Sequence, residues 1–182
     1  MTKEQPEDNV DDFLKELHNI LGNDTIKFRN ATDDLNDSIT IILKSHLFVE
    51  NKIDELLEFI FPKGQILSKK FYFKDKLLIL KSTNLIDNQT LDAIRKLNNV
   101  RNDIAHNLEF EITENIIDKI GNPLGKDYRE MKQETFQEFD ESKGYQDIIY
   151  SVPKIIAVFY YIVAHIVVKL NKVIKSDKGY FE

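Results

Sequence analysis

Apolar residues recur at steps of three and four along most of the chain, which is the period of an amphipathic α-helix. The clearest stripe lies in residues 32–61, where the two steps alternate as in helices that pack side by side in bundles. Similar stripes predict helices over residues 9–21, 71–82, 88–108 and 112–120. Because no strand pattern of any length interrupts them, we predict an all-α fold, a helical bundle.

Two regions depart from this pattern. Residues 121–144 contain three glycines, a proline and many charges, so a long polar loop is predicted there. Residues 145–174 predict a long last helix, and its middle, residues 155–168, is apolar on every side apart from one histidine. That apolar run is shorter than the roughly 20 residues that span a bilayer. We therefore expect this helix at the centre of the bundle or in a dimer interface.

Composition agrees with one helical domain. The 182 residues are enough for a real core, and only six glycines and four prolines interrupt them. We expect a single domain over residues 1–182, with residues 1–8 as a flexible acidic N-terminus. The chain has no cysteine, which excludes disulfides, thiolate metal sites and cysteine nucleophiles. Its polar, acidic start does not resemble a signal peptide, so a cytoplasmic location without membrane contact is expected.

The net charge of −6 is unevenly distributed along the chain. Residues 1–24 carry seven acids against two lysines, a net charge of −5, whereas residues 62–83 carry six lysines and one aspartate, a net charge of +5. The acidic total therefore does not exclude a polyanionic ligand, because one surface can still be positive. A lysine-rich helix face that is simply solvated is the alternative explanation of the same run.

One helical stripe contains an arginine. In residues 88–108 the three-and-four rhythm continues through position 101, so Arg101 is predicted to face inward. A guanidinium that leaves water without a partner costs several kcal/mol. Arg101 therefore needs an acid, a set of carbonyls or a ligand anion, and Glu50 and Asp54 are the candidate acids.

His106 follows Arg101 by five residues, and Asn102 lies one turn before His106 on the same helix face. The three side chains combine a fixed positive charge, an amide and an imidazole. Such a group suits phosphodiester chemistry, because an arginine binds a phosphate through two hydrogen bonds and an imidazole transfers a proton. A structural explanation stays open, in which Arg101 pairs with Glu50 and His106 favours the negative end of the helix dipole.

The stretch "RNDIAH", residues 101–106, fits the Arg-x4-His motif of the HEPN superfamily, with a polar residue directly after the arginine. The stretch "SHLFVENKIDELLEFI", residues 45–60, resembles the long helix before that motif. Residues 71–107 resemble the arrangement in HEPN-like proteins related to the mannitol operon repressor. The resemblance covers about residues 35–110, and less clearly the last helix.

The resemblance implies a small helical bundle that dimerises, with the motifs of two chains facing a shared cleft. Many members are metal-independent ribonucleases, in which the ribose 2′-hydroxyl attacks the adjacent phosphate. By match, His106 would transfer the proton, Arg101 would bind the phosphate and Asn102 would give polar support, with no cofactor. The implied substrate is single-stranded RNA, whose phosphates and 2′-hydroxyls are accessible.

Further residues receive supporting roles. His46 and Glu50 lie one turn apart on the predicted helix 32–61 and are expected to orient the motif, unless His46 is an ordinary core histidine. No histidine spacing typical of a metal site occurs. Lysines interleaved with aromatic residues are the candidate RNA contacts, and these are Lys69, Lys70, Lys74 and Lys76.

We therefore expect a homodimeric endoribonuclease of the toxin or phage-defence type, with an antitoxin or a regulatory protein as a further candidate partner. Leu108 occupies the position at which one toxin branch carries a tyrosine that its antitoxin modifies, which argues against that route of regulation. The mannitol repressor branch is credited with a regulatory role. The alternative is accordingly a non-catalytic HEPN module that regulates or binds a partner through the same surface.

Overall fold

A computed structural model describes residues 38–141 and 154–175, with side chains for 38–137 and 156–175. Within these ranges the chain is helical and contains no strand, which confirms the all-α prediction. The helix predicted over residues 9–21 and the N-terminus at residues 1–8 lie outside the described residues. The described α-helices are α1 (Ser38–Ile60), α2 (Gly64–Lys70), α3 (Phe73–Thr83), α4 (Asn88–His106), α5 (Glu114–Gly121), α6 (Lys126–Glu141) and α7 (Lys154–Ile174), with a short 3-10 helix at Asn122–Leu124.

The core forms where α1 packs against α2, α4 and α7. The stripe predicted for α1 is its buried face, and it includes Ile42, Val49 and Ile53. Each aliphatic side chain of this kind contributes about 1.5–3 kcal/mol when fully buried. Position 46 of the same stripe is a histidine, so the apolar seam is interrupted by a polar side chain in the middle of α1.

The last described helix, α7, contacts α1, α4, α5 and α6. Its inward residues, among them Phe159, Ile162 and Ile166, are fully buried. The segment Ile156–Ile174 is long and apolar enough to cross a membrane by length and composition, although half of that segment is buried within the fold. The core helix of a soluble protein passes the same test. The structure thus agrees with the prediction of a central helix.

The start of α4 is set by a side-chain cap. Asp87 accepts hydrogen bonds from the Thr90 backbone N–H at 2.8 Å and from Thr90 Oγ1 at 3.0 Å. Burial raises the pKa of Asp87, but the bonds from Thr90 and the charge of Lys169 outweigh it and leave the pKa below its ordinary value. A cap of this kind contributes about 1 kcal/mol to helix stability. It fixes where the helix that carries the motif begins.

The prediction of a long polar loop over residues 121–144 is wrong for most of its length, because α6 occupies Lys126–Glu141. The inner face of α6 is narrow, with Tyr128 and Thr135 buried and Met131 and Phe136 half-buried. Two of the three glycines precede the helix, Gly121 as the last residue of α5 and Gly125 directly before α6. A Cβ at Gly121 would overlap the Tyr128 ring, and Gly125 has a positive φ of 66°.

Candidate functional site

Arg101 does not face the core as the sequence rhythm predicted. It is exposed, and Val100, 4% exposed, takes the inward position that follows Leu97. Both positions fit an α-helical repeat, because 3.6 residues after Leu97 lies between them. The apolar side chain turns inward, and the charged side chain remains in water. The buried stripe of α4 therefore contains no arginine.

The two acids proposed as partners of Arg101 are paired with a different cation. The Lys76 Nζ lies 2.6 Å from Asp54 Oδ1 and 3.6 Å from Glu50 Oε1, and the Lys76 side chain is buried. The structural explanation in which Arg101 pairs with Glu50 is therefore wrong. The grouping of Lys76 with exposed RNA contacts is also wrong, because the lysine turns inward from α3 to neutralise carboxylates of α1.

His46 is 3% exposed and connects α1 to α4. Its Nε2 lies 3.0 Å from Asn98 Oδ1, so this nitrogen donates and carries the hydrogen. Its Nδ1 has no hydrogen-bond partner and faces Glu50 Oε2 at 4.0 Å. The ring also packs against Phe73, with 4.8 Å between centroids. His46 is thus a buried histidine with one hydrogen-bond partner on α4 and a carboxylate neighbour on its own helix.

Burial lowers the pKa of His46 below its ordinary value, and the charge of Arg101 acts in the same direction. The hydrogen bond with Asn98 and the charge of Glu50 oppose this shift without cancelling it. His46 is therefore neutral near pH 7.

We refer to His46, Glu50, Asp54, Lys76 and Asn98 as the buried polar cluster. Burial raises the pKa of Asp54, and the charges of Glu50 and Glu58 add to that effect, whereas Lys76 opposes it. Two carboxylates, one ammonium and a neutral imidazole share the space between α1, α3 and α4. The cluster fixes the rotation of α4 about its axis, because His46 on α1 binds Asn98. Asn98 lies one turn before Arg101.

Asn98 is a site residue that the sequence reasoning missed. Its partner His46 is 52 residues away along the chain, so spacing within one helix does not reveal the contact. The only signal was indirect, since a histidine in the apolar seam of α1 requires a hydrogen-bond partner. An amide on the neighbouring helix is a suitable one.

Arg101, Asn102 and His106 form what we call the motif surface. The Arg101 Nη1 donates to Asn102 Oδ1 at 3.2 Å. His106 is the exposed last residue of α4, and within the described part of the chain neither His106 nor Arg101 has an acidic partner. On an ideal helix the two residues are about 140° apart around the axis and about 7.5 Å apart along it. One chain therefore does not place both on one face.

Two grooves on the described surface lie away from this motif. The first, about 450 Å³, is lined by Phe61, Pro62, Lys63, Ile66 and Leu67 near the start of α2. The second, about 320 Å³, lies at α5 and α6 and is lined mostly by polar and charged side chains, whereas the first is mostly apolar. Its lining residues are Asp118, Asn122, Tyr128, Arg129, Lys132, Gln133 and Phe136.

Asp118 and Lys132 of the second groove are already paired. The Lys132 Nζ lies 2.6 Å from Asp118 Oδ1 and 2.7 Å from Glu114 Oε1, and the Tyr128 hydroxyl donates to Asp118. Burial raises the pKa of the Tyr128 hydroxyl, and the bond to Asp118 raises it further. The Lys132 ammonium also lies 5.4 Å from the centre of the Phe136 ring. These contacts join α5 to α6 and give the groove a structural role.

No group of three or more histidine, aspartate or glutamate side chains within the described residues is arranged to hold a metal ion. His165 is half-buried, with its Nε2 3.8 Å from Asp127 Oδ2. Burial lowers the pKa of His165, and Lys169 contributes in the same direction. Its position on α7 makes it a packing residue with one acidic neighbour.

The fold and the site define the class of the protein as an all-α helical bundle that carries a cationic motif at the exposed end of one helix. Comparison of the chain with models of protein families, with curated proteins and with solved structures found no match in any of the three.

Proposed function

We propose that the chain is a metal-independent endoribonuclease that cuts single-stranded RNA at a cleft between two copies. The observation that carries the proposal is the state of Arg101, which is exposed and has no acidic partner among the described residues. The nearby acids of α1 are occupied by Lys76. A guanidinium with donors open to water binds a phosphate through paired hydrogen bonds.

The chemistry needs two proton transfers and no metal. The 2′-hydroxyl oxygen attacks the neighbouring phosphorus, and the bond from phosphorus to the 5′-oxygen breaks. His106 takes the proton of the 2′-hydroxyl, and water donates a proton to the departing 5′-oxygen. The products are a 2′,3′-cyclic phosphate and a free 5′-hydroxyl. In this scheme Arg101 binds the phosphate, and Asn102 holds the guanidinium through the contact at 3.2 Å.

In this proposal a second copy of the chain brings the partner side chain of the motif to the phosphate. On an ideal helix the backbone positions of Arg101 and His106 are about 140° apart around the axis, which favours two copies over one as the source of the two side chains at one phosphate. A two-fold axis beside α4 would bring Arg101 of one copy toward His106 of the other. The resemblance of residues 101–106 to the HEPN motif supports the same arrangement. We propose a toxin or phage-defence role in the cytoplasm, with an antitoxin or regulatory protein as partner.

The second candidate function is a non-catalytic HEPN module that binds a partner through the motif surface. One observation favours it, namely that neither groove described above includes Arg101, Asn102 or His106. A module of this kind would bind its partner and leave RNA intact.

The test is incubation of the purified chain with single-stranded RNA in excess chelator. The Arg101→Ala and His106→Ala variants are compared with Arg95→Ala, which changes an exposed arginine of the same helix that pairs with Asp92 at 3.1 Å. We expect the parent and the Arg95→Ala variant to produce 2′,3′-cyclic phosphate ends, and the two motif variants to lose at least about a hundredfold in rate. Equal cleavage by all four proteins would rule out the motif as the catalytic group, and binding without cleavage by the parent favours the module.

A further inference from the structure

The junction between α2 and α3 brings lysines and aromatic rings together on the surface. Lys69 and Lys70 end α2, Phe71 and Tyr72 connect the helices, and Lys74 lies in the first turn of α3. We refer to these five residues as the junction surface. It differs from the set of RNA contacts expected from the sequence, because it excludes the buried Lys76.

The two rings are exposed although water disfavours them. Tyr72 is 79% exposed and Phe71 is 42% exposed. Both residues have extended backbone angles, with φ and ψ of −96° and 143° at Phe71 and of −69° and 155° at Tyr72. Successive side chains of an extended segment point to opposite sides. The rings are therefore separate platforms and do not form one continuous apolar face.

The charge around these rings is mainly positive, with Asp75 as the acid in the first turn of α3. Residues 61–74 contain four lysines and no acid. Lys69, Lys70 and Lys74 are exposed, and within the described residues no carboxylate pairs with them, unlike Lys76. The acid that contacts α2 is Glu58, which accepts a hydrogen bond from Ser68 Oγ at 2.8 Å. The junction surface thus offers ammonium groups to an anionic ligand.

A chain of contacts connects the junction surface to the motif surface. Phe73, the residue between Tyr72 and Lys74, packs on the ring of His46 with centroids 4.8 Å apart. His46 in turn binds Asn98 Oδ1 at 3.0 Å, and Asn98 lies three residues before Arg101 on α4. The segment that carries Tyr72 and the helix that carries Arg101 are therefore joined through one histidine.

We propose that the junction surface is a binding site for single-stranded RNA, in which unpaired bases stack on Tyr72 and Phe71 and phosphates pair with Lys69, Lys70 and Lys74. This inference rests on the proposed function, because the ligand is the RNA that the motif cuts. Stacking on an aromatic ring tolerates any base and requires that the base be unpaired. The site thus selects single strands over duplexes without selecting a sequence.

A protein ligand fits the surface less well. An acidic peptide would match the lysines, and residues 1–24 of this chain, with a net charge of −5, have that character. A docked peptide helix needs a continuous apolar groove. The apolar groove near α2 is lined by Phe61, Pro62, Lys63, Ile66 and Leu67, none of which belongs to the junction surface.

The first experiment tests stacking. Fluorescence anisotropy follows the binding of a labelled oligouridylate of about twelve nucleotides, a length within the range of single-strand sites. The full chain carries His106→Ala to prevent cleavage, and chelator is present. We expect Tyr72→Leu to weaken binding about tenfold and Tyr72→Phe to leave it unchanged. Leu78→Ala, at a 65% exposed position of α3, is the matched control. Equal binding by Tyr72→Leu and Tyr72→Phe overturns the stacking role.

The second experiment tests the lysines. One triple variant changes Lys69, Lys70 and Lys74 to Gln, and its control changes Lys81, Lys119 and Lys126 to Gln, with the same net charge. The slope of the logarithm of affinity against the logarithm of salt concentration should decrease by about 2 in the first variant only, since each phosphate contact in a single strand contributes about 0.7. An equal decrease in both variants, or equal affinity of the parent for double-stranded RNA, contradicts the proposal.

The outcomes separate this site from the nuclease itself. Tyr72-dependent binding without cleavage by the parent supports the junction surface and removes the nuclease proposal. Equal rates of cleavage by the parent, by Tyr72→Leu and by the triple lysine variant, all with His106 intact, support the nuclease and remove the junction site. Failure of the full chain to bind the oligouridylate, together with Tyr72-dependent binding of a synthetic peptide of residues 1–24, assigns the surface to the peptide and overturns our proposal.

Discussion

The buried polar cluster and the motif surface adjoin each other on α4 but differ in how their charges are neutralised. In the cluster, Lys76 lies between Glu50 and Asp54, and Asn98 binds His46. On the motif surface, Arg101 bonds only to the amide of Asn102 within the described residues. The difference shows that α4 has one side beside which the charges are paired within the fold and another whose cation is open to an external anion.

The network between α5 and α6 repeats the arrangement of the cluster. Lys132 contacts both Asp118 and Glu114, just as Lys76 contacts two carboxylates of α1. Burial by itself would lower the pKa of Lys132, but the bonds to the two acids outweigh it and raise the pKa. Lys76 and Lys132 are thus each held by a pair of acids. Arg101, in contrast, has no acidic partner among the described residues.

The largest expected effect on stability is in the buried polar cluster. Lys76→Met removes the only cation that contacts both Glu50 and Asp54 within the described structure, so two partly buried carboxylates lose their partner. We expect a loss of about 3 kcal/mol in the free energy of unfolding, or somewhat less because both acids retain contact with water. Chemical denaturation measures it. Lys74→Met, two residues earlier on α3 and exposed, is the matched control and should change stability little.

A smaller effect is expected at the link between α1 and α4. Asn98→Ala leaves the His46 Nε2 buried without its hydrogen-bond partner, which costs about 1–3 kcal/mol. Asn102→Ala, one turn later on the same helix, removes only the contact with exposed Arg101 and should cost less than about 0.5 kcal/mol. Denaturant midpoints of the two variants compare the sites directly. Equal losses would show that the buried amide of Asn98 contributes no more to the free energy of unfolding than the amide of Asn102.

Much of the helical framework was predictable, because α1, α3 and α4 carry strong stripes of apolar residues. The helix α6 was not, since it needs only a narrow inner face and its sequence is mostly charged. The rotation of α4 was also misjudged. A stripe of period 3.6 permits steps of three or four, and Val100 was the signal that the step after Leu97 is three.

The partners of charged residues were the least predictable part of the site. Lys76 belongs to a run of lysines that looks uniform in sequence, yet its acids lie on α1, more than twenty residues earlier. The proximity of His46 and Glu50 was predictable, because residues four apart share a helix face. Their relation to Asn98 depends on how α1 packs against α4, and the pattern within one helix contains no information about that packing.

The pH dependence of stability should reflect the buried histidines. Burial lowers the pKa of both His46 and His165 in the folded chain, so the unfolded chain, with a pKa near 6.5, binds more protons at acidic pH. Stability is therefore complete above about pH 6.5 and decreases as the pH falls through that value toward the folded pKa. Urea denaturation at pH 7.5 and 5.5 measures the decrease. His46→Gln should reduce it, whereas an unchanged dependence would show that His46 is charged in the folded state or exposed.

The smallest expected change in stability accompanies the largest expected change in activity. Arg101→Ala removes an exposed side chain with no acidic partner among the described residues, so the free energy of unfolding should change by less than about 0.5 kcal/mol. Removal of a positive charge near His46 should also raise the pKa of that histidine, because the charge of Arg101 lowers it. Titration of the His46 ring by NMR, with His165 as the internal control, detects that shift. A stable Arg101→Ala variant that no longer cuts RNA would show that Arg101 acts on the substrate. A large loss of stability would instead show that the Arg101 side chain packs in the core.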